Sequence, residues 1–447
     1  MLNKMLLTFG LCCAALQIQA SQEIRVYLPT QTALEPTYFG KLQAEGGEFD
    51  AAYLNQLEAI LTFDFGYNGS NKSMPYHEQK EALIRQKNFD PITWKNLGAA
   101  YVIRGSIENK ILSVSVLSIQ SGSFKEFNNI KLTGNLSKDR RLLHRLADSI
   151  HKALYGKEGV ASTRILYSVK VKHKPTEKTW ISEIWTCDWD GGNPRQLTRE
   201  GSYCVTPVFI PASPKFANDK FLYVSYKMGQ PKIFIASLSE GIGKRLIDLK
   251  GNQLLPAISP QRDKVAFICD AGGRTDLFLQ EFYPDTGRVG KPVQLFSYPR
   301  STQASPTFNP DASRVAFVSD KDASPRIYVI PTTFSSKRAQ PFLISKQNNE
   351  NSCPSWSPDG KKLAYSAKTK GTRQIWIYDF ESREERQLTE GPGHKENPSW
   401  APDSQHLVFN STGGDTSELF IVNLNQPEVV KISQGPGIKH YPTWGTR

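Results

Sequence analysis

A proline tripeptide recurs through the second two-thirds of the chain: a proline, any residue, and then an aromatic or aliphatic residue. Its copies begin at Pro207, Pro256, Pro306, Pro354, Pro398 and Pro442. Successive copies are separated by 49, 50, 48, 44 and 44 residues. Periods of about 40–50 residues are typical of solenoids, propellers and other repeat arrays. The chain is therefore expected to repeat one supersecondary unit.

The content of each unit indicates which array it forms. After the tripeptide comes a strand-like run such as Val265-Ala266-Phe267, then a second run such as residues 374–379, and then a shorter third run. Short runs rich in β-branched and aromatic residues, bounded by Pro, Gly, Asp and Ser, are typical of strands. Together with the tripeptide, each unit has four strands, which is the content of a propeller blade.

The number of blades follows from counting these strand classes. Residues 164–198 supply the last three classes with no tripeptide before them, whereas Pro442 begins a tripeptide with no strands after it. Each class totals six if the C-terminal piece joins the sheet that contains Ile165. Such pairing also removes an exposed edge strand. We therefore predict a mainly β fold, a six-bladed β-propeller over residues 164–447 that is closed by its C-terminal strand.

The residues before the propeller differ in character. Residues 5–18 are uncharged, fall short of the ~20 needed to span a bilayer, and precede the small residue Ala20, so residues 1–20 are predicted to be a cleaved signal peptide. Residues 21–155 contain a strand near residues 23–28, helical spacing over residues 49–61, a hairpin over residues 100–119, and a helix capped by Ser137 that ends at Gly156. They are predicted to form a small α/β domain, with a linker at residues 156–163.

Charged residues give little sign of a nucleic-acid partner. The 447 residues carry 55 Lys and Arg against 43 Asp and Glu, a net charge of +12, but the basic residues are scattered. The one dense run is Lys138-Asp139-Arg140-Arg141 at the start of the predicted helix. His144 and His151 share one face of that helix and are expected at its solvent edge. Beyond the signal, Cys187, Cys204, Cys269 and Cys353 have no CxxC or zinc-like spacing, and their pairing is left open.

Strand order in a propeller predicts which loops share a face. The crossovers before each proline tripeptide and the loops between second and third strands are expected at one end, called here the upper face. Polar loop residues around a central funnel are suited to binding a protein or a small ligand. The candidates are Tyr203, Asn252, Gln253, Ser301, Thr302, Gln303, Asn349, Asn351, Lys395, Glu396, Lys439 and His440.

Catalytic motifs are missing from the sequence. There is no GxSxG elbow, no P-loop, no GxGxxG after a strand and no HExxH. A propeller-gated serine peptidase is disfavoured because only residues 445–447 follow the last tripeptide. A propeller enzyme that acts on a small sugar or lactone, with a metal in the central channel, is kept as the alternative.

The pattern resembles the TolB family of the Tol–Pal envelope system over nearly the whole chain after residue 20. The resemblance is carried by the turn Ser357-Pro358-Asp359-Gly360 and its relatives, the junction at residues 146–167, and the terminal Pro442-Thr443-Trp444. Pro214-Lys215 and Gln261-Arg262 depart from the family's Asp-Gly turns. These departures put the turn geometry in question, not the fold.

This resemblance implies a function without catalysis and without a cofactor. TolB-like proteins are periplasmic, bind a Pal-type peptidoglycan-associated lipoprotein on the open face of the propeller, and engage TolA through an N-terminal arm. They are implied to act as monomers that maintain the outer membrane during envelope constriction at cell division. The corresponding arm here is Ser21, Gln22, Glu23, Ile24, Arg25, Val26 and Tyr27.

Overall fold

The computed structural model describes residues 24–445, apart from residues 29–31, 45–46, 87–88, 173–178, 213–218, 285–287 and 334–338. The predicted signal peptide, three residues of the predicted arm and the Pro214-Lys215 departure lie outside the described residues. The rest of the chain forms two parts, a six-bladed propeller and a region of helices and strands that precedes it. Among the described helices, none is long and apolar enough to cross a membrane.

The region before the propeller contains a mixed sheet with helices against it. Its elements are β1 (Arg25–Val26), β2 (Glu35–Phe39), β3 (Gln43–Ala44), α1 (Ala51–Gly66), β4 (Asn71–Ser73), α2 (Glu78–Ile84), α3 (Pro91–Asn96), β5 (Tyr101–Glu108), β6 (Ile111–Ser118), β7 (Phe124–Lys131) and α4 (Leu136–Tyr155). The sheet has the order β4-β2-β5-β6-β7, with β3 beside β5. Buried apolar residues of α1, α4 and this sheet form one core with the adjoining propeller blades.

Two local predictions for this region need correction. Helix α4 begins after Asn135, whose side chain accepts a hydrogen bond from the Lys138 N–H at 3.2 Å, so Asn135 and not Ser137 is the cap. The helix does end at Gly156, which adopts a φ of 69°. The strand expected near residues 23–28 is the short β1, but it pairs with the propeller and not with the preceding sheet.

Six blades confirm the predicted propeller. Blade 1 comprises β33 (Ile438–Trp444), β8 (Arg164–Lys172), β9 (Trp180–Asp188) and β10 (Arg195–Gln196). Blade 2 comprises β11 (Cys204–Phe209), β12 (Lys220–Ser225), β13 (Lys232–Ser237) and β14 (Lys244–Arg245). Blade 3 comprises β15 (Gln253–Ile258), β16 (Lys264–Cys269), β17 (Asp276–Tyr283), β18 (Arg288–Val289) and β19 (Val293–Phe296). Blade 4 comprises β20 (Gln303–Phe308), β21 (Arg314–Ser319), β22 (Arg326–Pro331) and β23 (Phe342–Leu343). Blade 5 comprises β24 (Asn351–Trp356), β25 (Lys362–Thr369), β26 (Thr372–Asp379) and β27 (Glu385–Gln387), and the chain continues from it into β28 (Thr389–Glu390). Blade 6 comprises β29 (His394–Trp400), β30 (His406–Gly413), β31 (Thr416–Asn423) and β32 (Gln426–Lys431). All strand pairs within the blades are antiparallel.

Closure of the ring follows the prediction. Strand β33 pairs antiparallel with β8, so that Trp444 lies opposite Ile165 and Ile438 opposite Lys170. The Trp444 indole is buried, and its Nε1 donates to the Thr163 hydroxyl at 2.7 Å. Blade 1 therefore takes its innermost strand from the far end of the sequence.

A β-bulge explains why each inner strand carries a proline. In blade 2, Val205 and Val208 pair with the neighbouring strand, whereas Thr206 and Pro207 between them are passed over. The same shift occurs in the other five inner strands. Proline has no N–H to donate, so it is tolerated where the ladder is interrupted. In every blade the residue before the proline has a positive φ, from 47° to 54°, a conformation that non-glycine residues adopt at some cost.

The helical region packs on the lower face, the end opposite the crossovers, against blades 1 and 6. Asp64 of α1 is fully buried there and accepts hydrogen bonds from His144 Nδ1 and from Trp189 Nε1, each at 2.8 Å. His406 of blade 6 bridges the Asp403 carboxylate at 2.6 Å and the Tyr67 carbonyl at 2.7 Å. Burial lowers the pKa of His406, but the charge and hydrogen bond of Asp403 and the bond to the Tyr67 carbonyl raise it, so that the pKa lies above its ordinary value.

Burial of His144 and His151 contradicts the expectation that they flank a solvent edge. Both lie on the face of α4 that packs against other elements, and each is less than a tenth exposed. Burial alone lowers the pKa of His144, but the charge of Asp64 and its hydrogen bond raise it, and the net value is about 9. His144 is therefore a buried cation within the interface at neutral pH.

Replacing Trp444 tests ring closure. We expect Trp444→Ala to lower the free energy of unfolding by about 3–5 kcal/mol, because it empties a buried indole site and removes the bond to Thr163. Chemical denaturation followed by fluorescence measures the change. Trp180→Ala, at an indole that is 40% exposed, is the matched control and should cost far less. Equal losses would contradict closure through β33.

Replacing His144 tests the buried cation. A folded pKa near 9, above the ordinary value of 6.5, gives stability that is complete below pH 6.5 and is lost as pH rises through 9. We therefore expect His144→Gln to be less stable at pH 6.5 and to lose less stability than the parent between pH 6.5 and 9.5. Urea unfolding at both pH values measures this. The exposed His394→Gln should keep the parent's pH dependence, and an unchanged slope in His144→Gln would contradict the assignment.

Candidate partner-binding site

The upper face is formed by the crossovers and by the loops between second and third strands. Antiparallel strands alternate in direction, so both sets of loops emerge at the same end of every blade. Two inner-strand crossovers show a shared arrangement. Asn252 donates to Asp270 at 2.7 Å in blade 3, and Thr302 donates to Asp320 at 2.6 Å in blade 4. Each bond ties a crossover to the adjacent loop of its own blade.

Six of the predicted site residues reach the surface. Thr302 and Asn349 are exposed, and Tyr203, Asn252, Glu396 and His440 are half-buried. Asn349 accepts a hydrogen bond from Arg326 at 2.7 Å, and Glu396 forms an ion pair with Arg373 at 3.4 Å. Burial lowers the pKa of His440, with a further contribution from the nearby Lys170. These six side chains are available to a partner in the folded chain.

The other six predicted residues point into the blades. Gln253, Ser301, Gln303, Asn351, Lys395 and Lys439 are all buried. Except for Ser301, they occupy one repeat position, three residues before the proline. Their side-chain donors hold the preceding crossovers: Gln253 donates to the Leu249 carbonyl at 2.8 Å and Asn351 to the Asn348 carbonyl at 2.7 Å. These residues shape the upper face from beneath, and a partner would not contact them without rearrangement.

The Lys395 side chain is completely buried. Its ammonium donates to the carbonyls of Gly391, Pro392 and Gly393 in the crossover between blades 5 and 6. Burial lowers the pKa of Lys395 to about 8. A lysine with three carbonyl acceptors fixes the path of that crossover.

An aromatic cluster on the upper face was not anticipated. The Tyr203 ring lies edge-on to Tyr226 at 5.8 Å, and the Lys170 ammonium lies 4.7 Å from the Trp180 ring and 6.0 Å from the Tyr203 ring. Trp180 and Tyr226 are exposed by 40% and 37%. Aromatic side chains are enriched at protein interfaces. The sequence signal was an aromatic residue at the boundary between loop and strand: Tyr226 directly follows β12, and Trp180 begins β9.

A central cavity of about 570 Å³ runs along the propeller axis inside the ring of inner strands. Its described lining consists of the six prolines and their neighbours, among them Thr206, Cys353 and Asn397, and includes no Asp, Glu, His, Lys or Arg. Divalent metals in enzymes are held mainly by carboxylates and imidazoles. The lining therefore provides no such ligand set for the alternative of a channel metal.

Outside the channel, one described cluster has metal-like spacing: His144, Asp188 and Asp190. Arg140 already binds both aspartates, with Nε 3.2 Å from Asp188, and His144 also binds Asp64. This cluster is accounted for by ion pairs within the domain interface. The thiols of Cys187, Cys204, Cys269 and Cys353 are all unpaired.

The described part of the predicted arm forms a two-stranded sheet with β28, the strand that follows the outermost strand of blade 5. In β1, Arg25 pairs with Glu390 and Val26 with Thr389, and the Tyr27 N–H donates to the Leu388 carbonyl at 2.8 Å. Ile24 and Val26 pack on the core shared by blades 5 and 6. The Tyr27 hydroxyl also donates to the Glu390 carboxylate. The arm thus docks by strand addition with apolar side chains facing inward.

With this geometry established, comparison with known proteins identifies the family. The TolB beta propeller domain family matches residues 151–447. The chain belongs to the TolB family. A TolB homologue from Protochlamydia amoebophila is 49% identical over 382 residues, which cover 84% of this chain and 81% of the relative. A TolB homologue from Chlamydia trachomatis is 36% identical over 375 residues, covering 84% and 80%.

A solved TolB-family structure shares the fold. The crystal structure of TolB from Acinetobacter baumannii has a TM-score of 0.75 at 20% identity, covering 95% of this chain and 99% of that one. At this identity the likeness concerns the fold and not the contacts of individual side chains. Because it covers 95% of this chain, the likeness extends over both the propeller and the region that precedes it.

Replacing Val26 tests arm docking. We expect Val26→Asp to release β1, because the substitution places a charge against the apolar core beneath the arm. Hydrogen exchange at the Tyr27 amide should become at least tenfold faster. Arg25→Gln, at an exposed side chain of the same strand, should leave exchange unchanged. Similar protection in Val26→Asp and the parent would contradict the docking.

Proposed function

We propose that this chain is the non-enzymatic propeller component of a Tol–Pal system in the periplasm. It is exported by the signal at residues 1–20 and acts as a monomer with two parts, residues 21–155 and residues 164–447, joined at residues 156–163. It links a Pal-type lipoprotein to TolA, and so maintains the outer membrane and supports envelope constriction during division. Its contact with the membrane is through these partners only, and it binds no nucleic acid. Membership of the TolB family supports this proposal.

The observation that carries the proposal is the contact between the arm and one crossover of the upper face. Strand β1 pairs with Thr389 and Glu390, and the crossover to blade 6 begins at the next residue, Gly391. Lys395 holds the same crossover from the other side. The arm, suited to TolA, and the upper face, suited to a Pal-type partner, are therefore linked by the short crossover of residues 391–393.

Partner exchange follows from a shift between docked and released states of the arm. In the docked state β1 is unavailable to TolA, and the crossover of residues 391–393 is fixed. A Pal-type partner that binds the upper face better in one of these states changes the population of the other. Reciprocity requires that arm release changes the affinity for that partner by the same factor.

Binding measurements with both partners test the proposal. The mature chain is titrated with the soluble domain of its own Pal-type lipoprotein and with the C-terminal domain of its own TolA. Deletion of residues 21–27 should abolish TolA binding, because β1 is removed. Thr302→Arg with His440→Glu should weaken Pal binding at least tenfold, because both side chains reach the upper face.

Each variant also serves as the control for the other surface. The double upper-face variant should bind TolA as the parent does, and Lys361→Glu, exposed on blade 5, should leave both affinities unchanged. TolA binding that survives the arm deletion would overturn the role of the arm. Failure of the parent to bind either partner would overturn the proposed function as a whole.

A further inference from the structure

A cluster of basic side chains lies where α4 meets the lower, outer part of blade 1. Its members are Lys138, Arg141 and Arg145 of α4, Arg164 at the start of β8, and Arg195 in β10. Arg164 is half-buried and the other four are exposed. The sequence shows only the helical run as a dense group, and the fold adds two arginines from distant positions.

Strand register places Arg164 and Arg195 on one face of blade 1. Arg164 lies opposite Asp188, and Arg195 lies opposite Thr186 on the same central strand. Cross-strand partners share a face, and residues two apart on a strand also share a face. The two guanidinium groups therefore project from the same side of the sheet.

The first turns of helix α4 lie at the lower end of this side of the sheet. The Arg140 Nε donates to Asp188 at 3.2 Å, and Asn193, in the loop before β10, donates to the Ser137 carbonyl at 3.3 Å. The first turns of α4 are thus fixed beside both Asp188 and the loop that leads to Arg195. Arg141, the residue after Arg140, is brought to the edge of the same group.

The carboxylates next to this basic cluster already form ion pairs. Arg140 binds Asp188 and Asp190, whereas in the described part of the chain Arg141 and Arg164 have no carboxylate within ion-pair distance. Arg195 donates to the Leu238 carbonyl at 2.8 Å, which neutralises no charge. Burial lowers the pKa of Arg164, and the positive charges of Arg141 and Arg195 lower it further against an opposing contribution from Asp188. The cluster therefore has an excess of positive charge at close range.

We propose that Arg141, Arg164 and Arg195 form a binding site for a phosphate group, carried by a free phosphate compound or by a lipid headgroup. Guanidinium groups bind phosphate oxygens through paired hydrogen bonds, and several together neutralise its charge. The half-buried position of Arg164 favours the binding of one phosphate group at a defined place over a non-specific attraction of anions to the surface. The site is outside the upper face and the arm, so it goes beyond the partner binding proposed above.

Titration of the full mature chain with inorganic pyrophosphate tests the site. Calorimetry at low ionic strength compares the parent with Arg141→Gln/Arg195→Gln, whose two exposed positions leave the fold intact. Lys361→Gln/Arg383→Gln removes the same charge from exposed positions of blade 5 and is the matched control. We expect at least tenfold weaker binding in the first variant and less than a twofold change in the second.

Sedimentation with vesicles distinguishes the two sources of phosphate. Binding to phosphatidylglycerol vesicles but not to phosphatidylcholine vesicles, lost only in Arg141→Gln/Arg195→Gln, would assign the site to a lipid headgroup. Binding of pyrophosphate without vesicle binding would assign it to a free phosphate compound. The proposal is overturned if the parent binds neither probe, or if both double variants lose binding equally.

Discussion

Antiparallel pairing between β33 and β8 is the constraint on which the rest of the structure depends. It joins the two ends of the propeller, and the inner strands then contact one another around the whole ring. Hydroxyl groups of the proline tripeptide reinforce this ring: Ser399 accepts from the Trp444 N–H at 3.0 Å, and Thr443 donates to the Pro207 carbonyl at 2.6 Å. Because each inner strand is held by both neighbours, the loops above them keep fixed positions.

The sequence repeat was sufficient to predict the six-bladed ring, because every repeat carries the residues that one inner strand requires. Every inner strand needs a residue without an N–H at the bulge and a bulky residue two positions later to fill the space between blades, as Pro354 and Trp356 do. Strand type, blade number and closure all follow from that pattern. Features outside the repeats, such as the helix cap at Asn135, depend on local competition between neighbouring polar residues and are not periodic.

The candidate site was only partly predictable for the same reason. Strand order predicts which loops share the upper face, but it does not predict which polar side chains in them turn inward. Gln253 and Lys395 resemble surface residues in sequence, yet their donors satisfy crossover carbonyls that have no ladder partner. His144 resembles a solvent-edge residue until α1 brings Asp64 against it. The spacing of residues along the chain does not reveal contacts of this kind between distant segments.

The proposed coupling between the arm and the upper face depends on how the crossover of residues 391–393 is held. One of its ends continues from β28, which is paired with the arm, and its carbonyls are bound by Lys395. When the arm leaves, Thr389 and Glu390 lose their partner strand, whereas the crossover keeps the bonds from Lys395 and the bond from Gln374 Nε2 to the Gly391 carbonyl at 2.7 Å. The next residues, Glu396 and Asn397, belong to the upper face and to the central cavity. Release of the arm at the outer edge of blade 5 is thus separated by only a few residues of main chain from the surface where a partner would bind.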